Sequence, residues 1–274
     1  MWSLGERAAA CKCINKRDGC SLAAIRLEGV YYKYQEGTDW ILKGATLAFH
    51  RGRTLVVGGT GSGKSTLFRV ATGLAPKVYG GILRGKVEIS CKALLVPQLF
   101  DMFILMPTPR EELTYLLENR GYSKSEIERT VREIARKLRI EHVLERNVST
   151  LSMGERQRVA IASALVLEPD ILFLDEPLAY LDPLGCVELL ELLETLGFES
   201  IVIAEHRLHY LAEWYDRIVV VKDGRALEVK DLYEVREILG EDVYLPLHVR
   251  YGFKGLEELV SYVLSRRCVG KKQA

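Results

Sequence analysis

The chain contains the stretch Gly58-Gly59-Thr60-Gly61-Ser62-Gly63-Lys64-Ser65-Thr66, which fits the pattern G-x-x-x-x-G-K-[ST] of a phosphate-binding loop. An apolar, β-branched run at residues 53–58 precedes it and is typical of a buried strand, and residues 67–72 predict a helix that Gly73 ends. The backbone N–H groups of a glycine-rich turn and the start of a helix both favour an anion, so this stretch predicts a triphosphate site. There Lys64 would reach the β- and γ-phosphates, and the Ser65 hydroxyl would bind Mg²⁺.

The overall composition is that of an ordinary globular protein of 274 residues, with 48% hydrophobic residues and a formal net charge of +1. The length allows one large or two modest domains with a full core. The nearly neutral charge argues against a dedicated nucleic-acid-binding protein, and we expect no nucleic-acid partner. No apolar run approaches the length of a membrane span, and the first residues lack the apolar core of a signal peptide. We therefore expect a cytoplasmic protein that serves a membrane, if at all, from its inner surface through partners.

Three of the six cysteines, Cys11, Cys13 and Cys20, lie close together near the start of the chain. Three thiols in a short segment can hold a metal or form a disulfide, but no second C-x-x-C pair or nearby histidine completes a zinc pattern. We therefore expect residues 1–24 to be a flexible N-terminal extension, with metal binding as the less favoured alternative.

The segments around the loop predict a small antiparallel sheet beside an α/β core, because several strand patterns come before any helix. We expect Gly80-Gly81 and Gly85 to interrupt the chain after the loop. Strands are predicted at residues 25–32, 45–49, 86–89 and 93–96.

The middle of the chain, about residues 100–167, is expected to form an inserted helical subdomain. One capping box, Thr108 with Glu111, carries proline at the first helical position and predicts a helix. A second, Ser123 with Glu126, precedes apolar residues at helical spacing with charges between them. The apolar stripe is more simply explained as core than as a binding groove.

Strand patterns return after this insert, at residues 171–174, 201–204 and 218–221. The first is continuously apolar, as expected for a parallel strand that is covered on both faces. Asp182 is expected to cap a helix, and Asp223-Gly224 to form a hairpin turn.

We expect residues 25–230 to form the nucleotide-binding domain and residues 231–274 a C-terminal helical extension. Its predicted helices cover residues 232–239 and 256–265, joined by an irregular stretch at 244–247.

An acidic pair, Asp175-Glu176, follows the continuously apolar strand. Ligands of α/β folds bind at the carboxyl edge of the sheet, so this pair is expected to lie next to the phosphate-binding loop. Asp175 would bind Mg²⁺ directly or through water, and Glu176 would polarise the attacking water. The structural alternative is a strand end whose acids cap the next helix.

The segment Leu151-Ser152-Met153-Gly154-Glu155 supports two interpretations. Ser152 with Glu155 is a third capping box, which predicts a helix through Leu167. A serine, a glycine and a helix N-terminus also form a second anion site. The chain would then carry two phosphate-binding surfaces that are far apart in sequence.

Taken together, these segments resemble the motifs of the ATP-binding cassette (ABC) ATPases, in order and spacing across about residues 25–227. The resemblance implies an α/β fold: a P-loop NTPase core with a small antiparallel β-subdomain and an inserted α-helical subdomain. GGTGSGKST resembles the Walker A loop, ILFLDE the Walker B strand and LSMGE the LSGGQ signature. Val96-Pro97-Gln98 resembles the Q-loop, Tyr180-Leu181-Asp182 the D-loop and Ala204-Glu205-His206 the switch histidine. Tyr34 is at the place where the family stacks an aromatic ring on adenine.

In this family two cassettes pair head to tail, and each ATP lies between the Walker A loop of one and the signature of the other. The resemblance implies that Glu176 is the general base, that His206 contacts the γ-phosphate and the attacking water, and that Gln98 senses Mg²⁺. The implied catalytic residues are Glu176, His206 and Lys64. The implied Mg²⁺ ligands are Ser65, Gln98 and Asp175. The implied ATP-binding residues are Tyr34, Gly58, Gly59, Thr60, Gly61, Ser62, Gly63, Lys64, Ser65, Thr66, Gln98, Ser152, Gly154, Glu155 and Asp182.

Two residues of the signature depart from the family pattern. Glu155 stands where the family usually has glutamine, and it preserves the capping box. Met153 stands where the family usually has glycine. If that position needs a positive φ, methionine would be strained there, and this half of a shared site would be weaker.

Finer features resemble the ATPases of energy-coupling factor transporters, which take up vitamins or transition-metal ions such as cobalt and nickel. They are the sequence Ala-Glu-His206-Arg-Leu, the sequence at residues 181–185 and the C-terminal extension. The resemblance implies three partners: a second ABC ATPase subunit, identical or different, a polytopic membrane transport subunit and a substrate-binding membrane subunit. The apolar segment 99–106 would then help to form a groove for the transport subunit, or else be ordinary core.

Two alternatives from other classes stay open. A soluble ABC ATPase outside transport, for example in iron–sulfur cluster assembly, would make use of the cysteines near the start of the chain. A binding module without catalysis would bind ATP but not hydrolyse it.

Overall fold

The β-strands form two sheets in the computed structural model, which describes residues 24–35, 39–255 and 257–261. The cysteine cluster at residues 11–20 lies outside these residues, as does most of the predicted helix at 256–265, of which residues 257–261 are helical. The strands are β1 (Ile25–Lys33), β2 (Leu42–Phe49), β3 (Gly52–Val57), β4 (Ile82–Ile89), β5 (Ala93–Val96), β6 (Ile171–Asp175), β7 (Ser200–Glu205), β8 (Arg217–Lys222) and β9 (Arg225–Val229). The helices are α1 (Lys64–Ala71), α2 (Leu74–Lys77), α3 (Pro109–Asn119), α4 (Lys124–Leu138), α5 (Met153–Leu167), α6 (Pro183–Thr195), α7 (Leu232–Leu239) and α8 (Leu247–Arg250).

The smaller sheet has three antiparallel strands in the order β2-β1-β4, as the sequence predicts. β4 runs without interruption through Gly85, so the predicted break there is wrong. Gly85 adopts φ +89°, and a Cβ on it would lie 2.4 Å from the carbonyl oxygen of Gly29. Glycine therefore lets β4 pass close to the bulge of β1 instead of ending the strand.

The larger sheet has six strands in the order β5-β6-β7-β3-β8-β9. The first five are parallel, and β9 returns antiparallel to β8 through the predicted turn at Asp223-Gly224. In β6, Leu172 and Leu174 belong to one core cluster and Ile171 and Phe173 to the other, so the strand is covered on both faces. Because β3, β6 and β7 are parallel neighbours, their carboxyl ends meet at one edge of the sheet.

The helical insert consists of α3, α4 and α5, which pack on one another. All three helices begin in the predicted capping boxes, at Thr108, Ser123 and Ser152. Each box satisfies backbone N–H groups at a helix start that have no partner within the helix. The predicted starts of all three helices are therefore confirmed, as is the predicted end of α5 at Leu167.

The C-terminal extension begins with α7, at the predicted bounds. The following stretch is less irregular than expected, since Tyr244 pairs with Arg207 in an isolated parallel bridge and α8 begins at Leu247. The described part of the chain contains no helix that combines the length and apolar character needed to cross a membrane.

Candidate active site

The phosphate-binding loop joins β3 to α1 in a tight turn. Gly63 precedes the helix with φ +109°, and α1 begins directly at Lys64, earlier than the predicted start at residue 67. Gly58 tolerates no side chain, because a Cβ there would lie 2.3 Å from the carbonyl oxygen of Val221 and 2.5 Å from Ser62 Oγ. The backbone of the loop is thus packed directly onto β8, which fixes where its N–H groups point.

Lys64 is buried at the base of this loop, with 5% of its surface exposed. Its Nζ donates hydrogen bonds to the carbonyl oxygens of Gly58 (2.9 Å) and Gly59 (3.1 Å). The same Nζ lies 3.5 Å from Glu176 Oε1. The ammonium group therefore lies between the loop and the acidic strand end, so the acidic pair is next to the loop as predicted.

Asp175 ends β6 and is buried beside Ser65. Burial raises the pKa of its carboxyl group, and a hydrogen bond with Ser65 opposes that shift. Its Oδ1 is buried and has no hydrogen-bond partner. A hard oxygen without a partner, next to a hydroxyl and a phosphate-binding loop, suits Mg²⁺. Among the described residues no cluster of three or more histidine, cysteine or acidic side chains could hold a metal by itself.

Glu176 has a left-handed backbone, with φ +49°, a conformation that is uncommon for a non-glycine residue. Its Oε2 accepts a 3.2 Å hydrogen bond from Gln98 Nε2, and its Oε1 lies 3.8 Å from His206 Nδ1. Together with Lys64, these contacts bring four predicted residues from four separate segments into one cluster.

The predicted signature segment lies at the start of α5 and outside this cluster. Ser152 is exposed, and its hydroxyl and backbone N–H both donate to Glu155 Oε2, at 2.8 and 2.7 Å. The hydrogen bond from the backbone N–H of Ser152 lowers the pKa of Glu155. Met153 is the first residue of the right-handed helix, so it carries none of the strain that a positive φ would impose. Gly154 is half-buried, and a Cβ there would meet Leu181 Cδ2 at 3.3 Å.

Asp182 caps α6, as predicted, by accepting a 2.7 Å hydrogen bond from the backbone N–H of Gly185. Tyr180, two residues before Asp182, is exposed. This segment joins the Glu176 loop to α6 and contacts the signature helix through Leu181 and Gly154.

A cavity of about 640 Å³ opens beside residues 59–62 of the loop. Trp40 lines it, whereas Tyr34 is not among the described residues at its wall. The Tyr34 hydroxyl instead lies 3.1 Å from Thr66 Oγ1 and accepts a 2.6 Å hydrogen bond from Arg69. Tyr34 therefore contacts the loop helix, and its stacking on adenine stays a prediction.

Two groups at the site, Trp40 and Glu205, were not predicted from the sequence. Trp40 is an aromatic residue in the same connection between β1 and β2 as Tyr34. That shared position is the sequence feature that could have indicated Trp40 as a residue of the site. Glu205 lies beneath His206 and is fully buried. The sequence feature that could have indicated Glu205 is an acid at the end of an apolar strand, directly before His206.

The fold and the loop together define a P-loop NTPase cassette. The family model for ABC transporters matches residues 42–179. An ABC transporter ATP-binding protein of Pyrococcus horikoshii is 37% identical over 251 residues, which are 84% of this chain and 88% of that protein. The chain belongs to the ABC transporter family. It is the ATP-binding subunit of an ABC transporter and an ATPase.

Solved structures agree with this assignment. CbiO1 from Clostridium perfringens, part of the ABC transporter complex cbiONQ, is 29% identical with a TM-score of 0.67, covering 78% of this chain and 91% of that one. A dimeric ATP-binding cassette in a post-hydrolysis state, bound to ADP and Pi, is 27% identical with a TM-score of 0.65, covering 75% and 98%.

Proposed function

We propose that this chain hydrolyses ATP at a site shared between two cassettes and thereby powers an importer of the energy-coupling factor class. One observation carries the proposal: Lys64, Glu176, Gln98 and His206 form a cluster at one sheet edge, while the signature is exposed elsewhere. Such a cluster has the parts that ATP hydrolysis needs, except for a second set of donors to the γ-phosphate.

Within the cluster each side chain has a distinct role. Glu176 accepts a proton from the attacking water, and its hydrogen bond with Gln98 orients the carboxylate. Lys64 leaves Glu176 and the loop carbonyls to bind the β- and γ-phosphates, and His206 contacts the γ-phosphate. Ser65 and Asp175, with Gln98, would hold Mg²⁺, which neutralises charge on the phosphates.

The exposed position of the signature segment supports the proposal that a second cassette binds to this chain. Ser152 and Gly154 lie at the N-terminus of a fifteen-residue helix, a site that favours an anion. In a two-fold pair the same surface serves both subunits, so each signature would bind the γ-phosphate held by the opposite loop. The similarity to a cassette that is dimeric with ADP and Pi supports this arrangement.

The importer class is supported by the likeness to cbiO1 and by the motif features of the switch and D-loop segments. In this proposal the chain lies on the inner face of the cell membrane, bound to a polytopic transport subunit beside a substrate-binding membrane subunit. The cargo is a vitamin or a transition-metal ion. Exposed Leu99, Met102 and Leu105, which follow Gln98, offer an apolar surface for the transport subunit.

The catalytic part is tested with Glu176→Gln, measured as steady-state ATP turnover and as ATP affinity. The variant should lose turnover by about 10²–10⁴-fold, because the general base is removed, and should still bind ATP. Glu191→Gln, an exposed position on α6, is the matched control and should behave as the wild type. Equal turnover in the Glu176 variant and the wild type would contradict the assignment.

The transport part is tested by recovering the tagged full chain from detergent-solubilised membranes of its source organism. An importer subunit should bring with it a polytopic membrane protein, identified by mass spectrometry. Recovery with soluble scaffold proteins alone would contradict the importer and favour a role in cluster assembly.

A further inference from the structure

Glu205 is a buried carboxylate to which the reaction described above gives no role. It is the last residue of β7, and none of its surface is exposed. An ionised carboxylate that is removed from water needs strong hydrogen-bond donors, since an unpaired buried charge is strongly destabilising. The partners of Glu205 therefore indicate why an acid is present at this position.

These partners belong to two different catalytic loops. Glu205 Oε1 accepts from the backbone N–H groups of His206 (2.8 Å) and Arg207 (3.2 Å). Its other oxygen, Oε2, accepts from the backbone N–H of Leu178 at 3.2 Å. Leu178 follows Glu176 by two positions, so one side chain binds both the loop of the base and the loop of the histidine.

The contact with the histidine ring is also close. His206 Nδ1 lies 3.2 Å from Glu205 Oε1, although not in hydrogen-bond geometry, and 3.8 Å from Glu176 Oε1. The backbone N–H of Glu176 donates to the carbonyl oxygen of Ala204 at 2.9 Å, which ties the two loops once more. A change in Glu205 would thus move His206 and Glu176 relative to each other.

We propose that Glu205 is a positioning residue for ATP hydrolysis, which fixes Glu176 and His206 relative to each other by holding both loops with one carboxylate. The inference rests on the roles proposed above for those two residues. An ionised carboxylate accepts hydrogen bonds at both of its oxygens, whereas an amide accepts at only one atom. Glutamine offers one accepting oxygen, and its NH₂ group would face either Leu178 N–H or the two N–H groups at 206 and 207.

The test is Glu205→Gln in the full-length protein, with Glu112→Gln as a matched control. Glu112 is also buried and accepts two backbone N–H groups, of Leu105 and Met106, but both bind its Oε2. A glutamine there can keep both bonds with its carbonyl oxygen. The control should keep wild-type turnover, whereas Glu205→Gln should lower kcat at least tenfold and change KM for ATP by less than about threefold, the split expected when ground-state binding is kept.

A double-mutant cycle separates positioning from general damage. If Glu205 acts through Glu176, then adding Glu205→Gln to Glu176→Gln should lower the residual turnover by less than about threefold, because coupled residues are not additive. An equal loss in both backgrounds would overturn the proposal, as would wild-type kcat in folded Glu205→Gln. Wild-type turnover in Glu176→Gln alone would instead contradict the proposed base.

A second variant covers the case in which Glu205→Gln does not fold. Glu205→Asp keeps both accepting oxygens but shortens their reach by one methylene, so it should fold and show turnover between that of the wild type and the expected Glu205→Gln value. Wild-type kcat in whichever variant folds would overturn the proposal.

Discussion

The backbone N–H of Tyr244 donates a 2.8 Å hydrogen bond to the carbonyl oxygen of His206. The backbone N–H of Leu208 returns a 2.8 Å bond to the carbonyl oxygen of Tyr244, and the two rings of Tyr244 and His206 lie 5.9 Å apart. A residue of the C-terminal extension thus pairs with the loop of the switch histidine. The extension also reaches the phosphate-binding loop, where a Cβ on Gly59 would lie 3.4 Å from Asp242 Cβ.

This pairing predicts that Tyr244→Pro slows hydrolysis. Proline has no N–H, so the carbonyl oxygen of His206 would lose its donor, at a cost of about 1 kcal/mol in stability and a few degrees in Tm. Because the histidine loop is less well held, kcat should fall about three- to tenfold, the range that corresponds to about 1 kcal/mol in the barrier. Tyr244→Phe keeps both backbone bonds and the ring and should behave as the wild type. A proline variant with normal kcat would show that the bridge is not needed.

A second prediction concerns Gly154 and the shared site. A Cβ at this position meets only the flexible end of Leu181, so Gly154→Ala should fold and bind ATP normally. If the signature acts on the ATP of a paired cassette, the added methyl group keeps the γ-phosphate from the helix N-terminus. Turnover should then fall by about 10²-fold, the effect of losing one donor to a developing charge.

Mixing experiments provide the control for this prediction. Gly154→Ala and Lys64→Ala are each expected to have much lower turnover than the wild type, but a mixed pair contains one site with neither change. Mixing should restore turnover where the chain pairs with itself. Normal turnover in Gly154→Ala alone would contradict a shared site.

The parts of the site that could be predicted are those in which a contiguous pattern fixes the chemistry. The capping box of Ser152 and Glu155 needs only residues three positions apart, and the strand before Asp175 is apolar because both faces are covered. The residues of each pattern are close in sequence and fix the local structure by themselves. The helix starts and the acidic strand end could therefore be predicted.

The parts that could not be predicted depend on which strands become neighbours. Glu205 contacts Leu178 only because β6 and β7 pair with Asp175 opposite Ala204. Tyr244 reaches His206 only because the chain turns back after α7, and no periodicity marks that path. The continuity of β4 through Gly85 was missed for the same reason, since the close backbone of Gly29 belongs to another strand.

A third prediction concerns Met153, the departure from the family signature. Because it occupies the first turn of α5 without strain and packs against the main core cluster, glycine there should not improve the enzyme. Met153→Gly should instead lower the free energy of unfolding by up to about 1 kcal/mol from helix propensity, plus the lost apolar burial. Urea unfolding and ATP turnover measure both effects, with Met153→Leu as the control. Higher turnover in the glycine variant would show that methionine limits the site.

The last prediction is a pH dependence far from the site, at Asp216 before β8. Asp216 Oδ2 accepts a 2.7 Å hydrogen bond from the backbone N–H of Arg53, and this bond lowers the pKa of the Asp216 carboxyl below its ordinary value. A lowered pKa stabilises the fold above the unfolded-state pKa, near 3.9 on the model-peptide scale, and the effect is lost as pH falls through the folded-state value.

The Arg53 guanidinium also lies 3.4 Å from Asp216 Oδ1 in an exposed ion pair. Asp216→Asn should therefore lower the free energy of unfolding at pH 7 by about 0.5 kcal/mol, the size typical of such pairs, and should leave turnover unchanged. The difference from the wild type should shrink as pH falls below about 4, because both side chains are then neutral. Urea unfolding at a series of pH values measures it, with Glu213→Gln as the exposed control. A difference that stays constant into the acid range would mean that packing, rather than charge, stabilises this corner of the sheet.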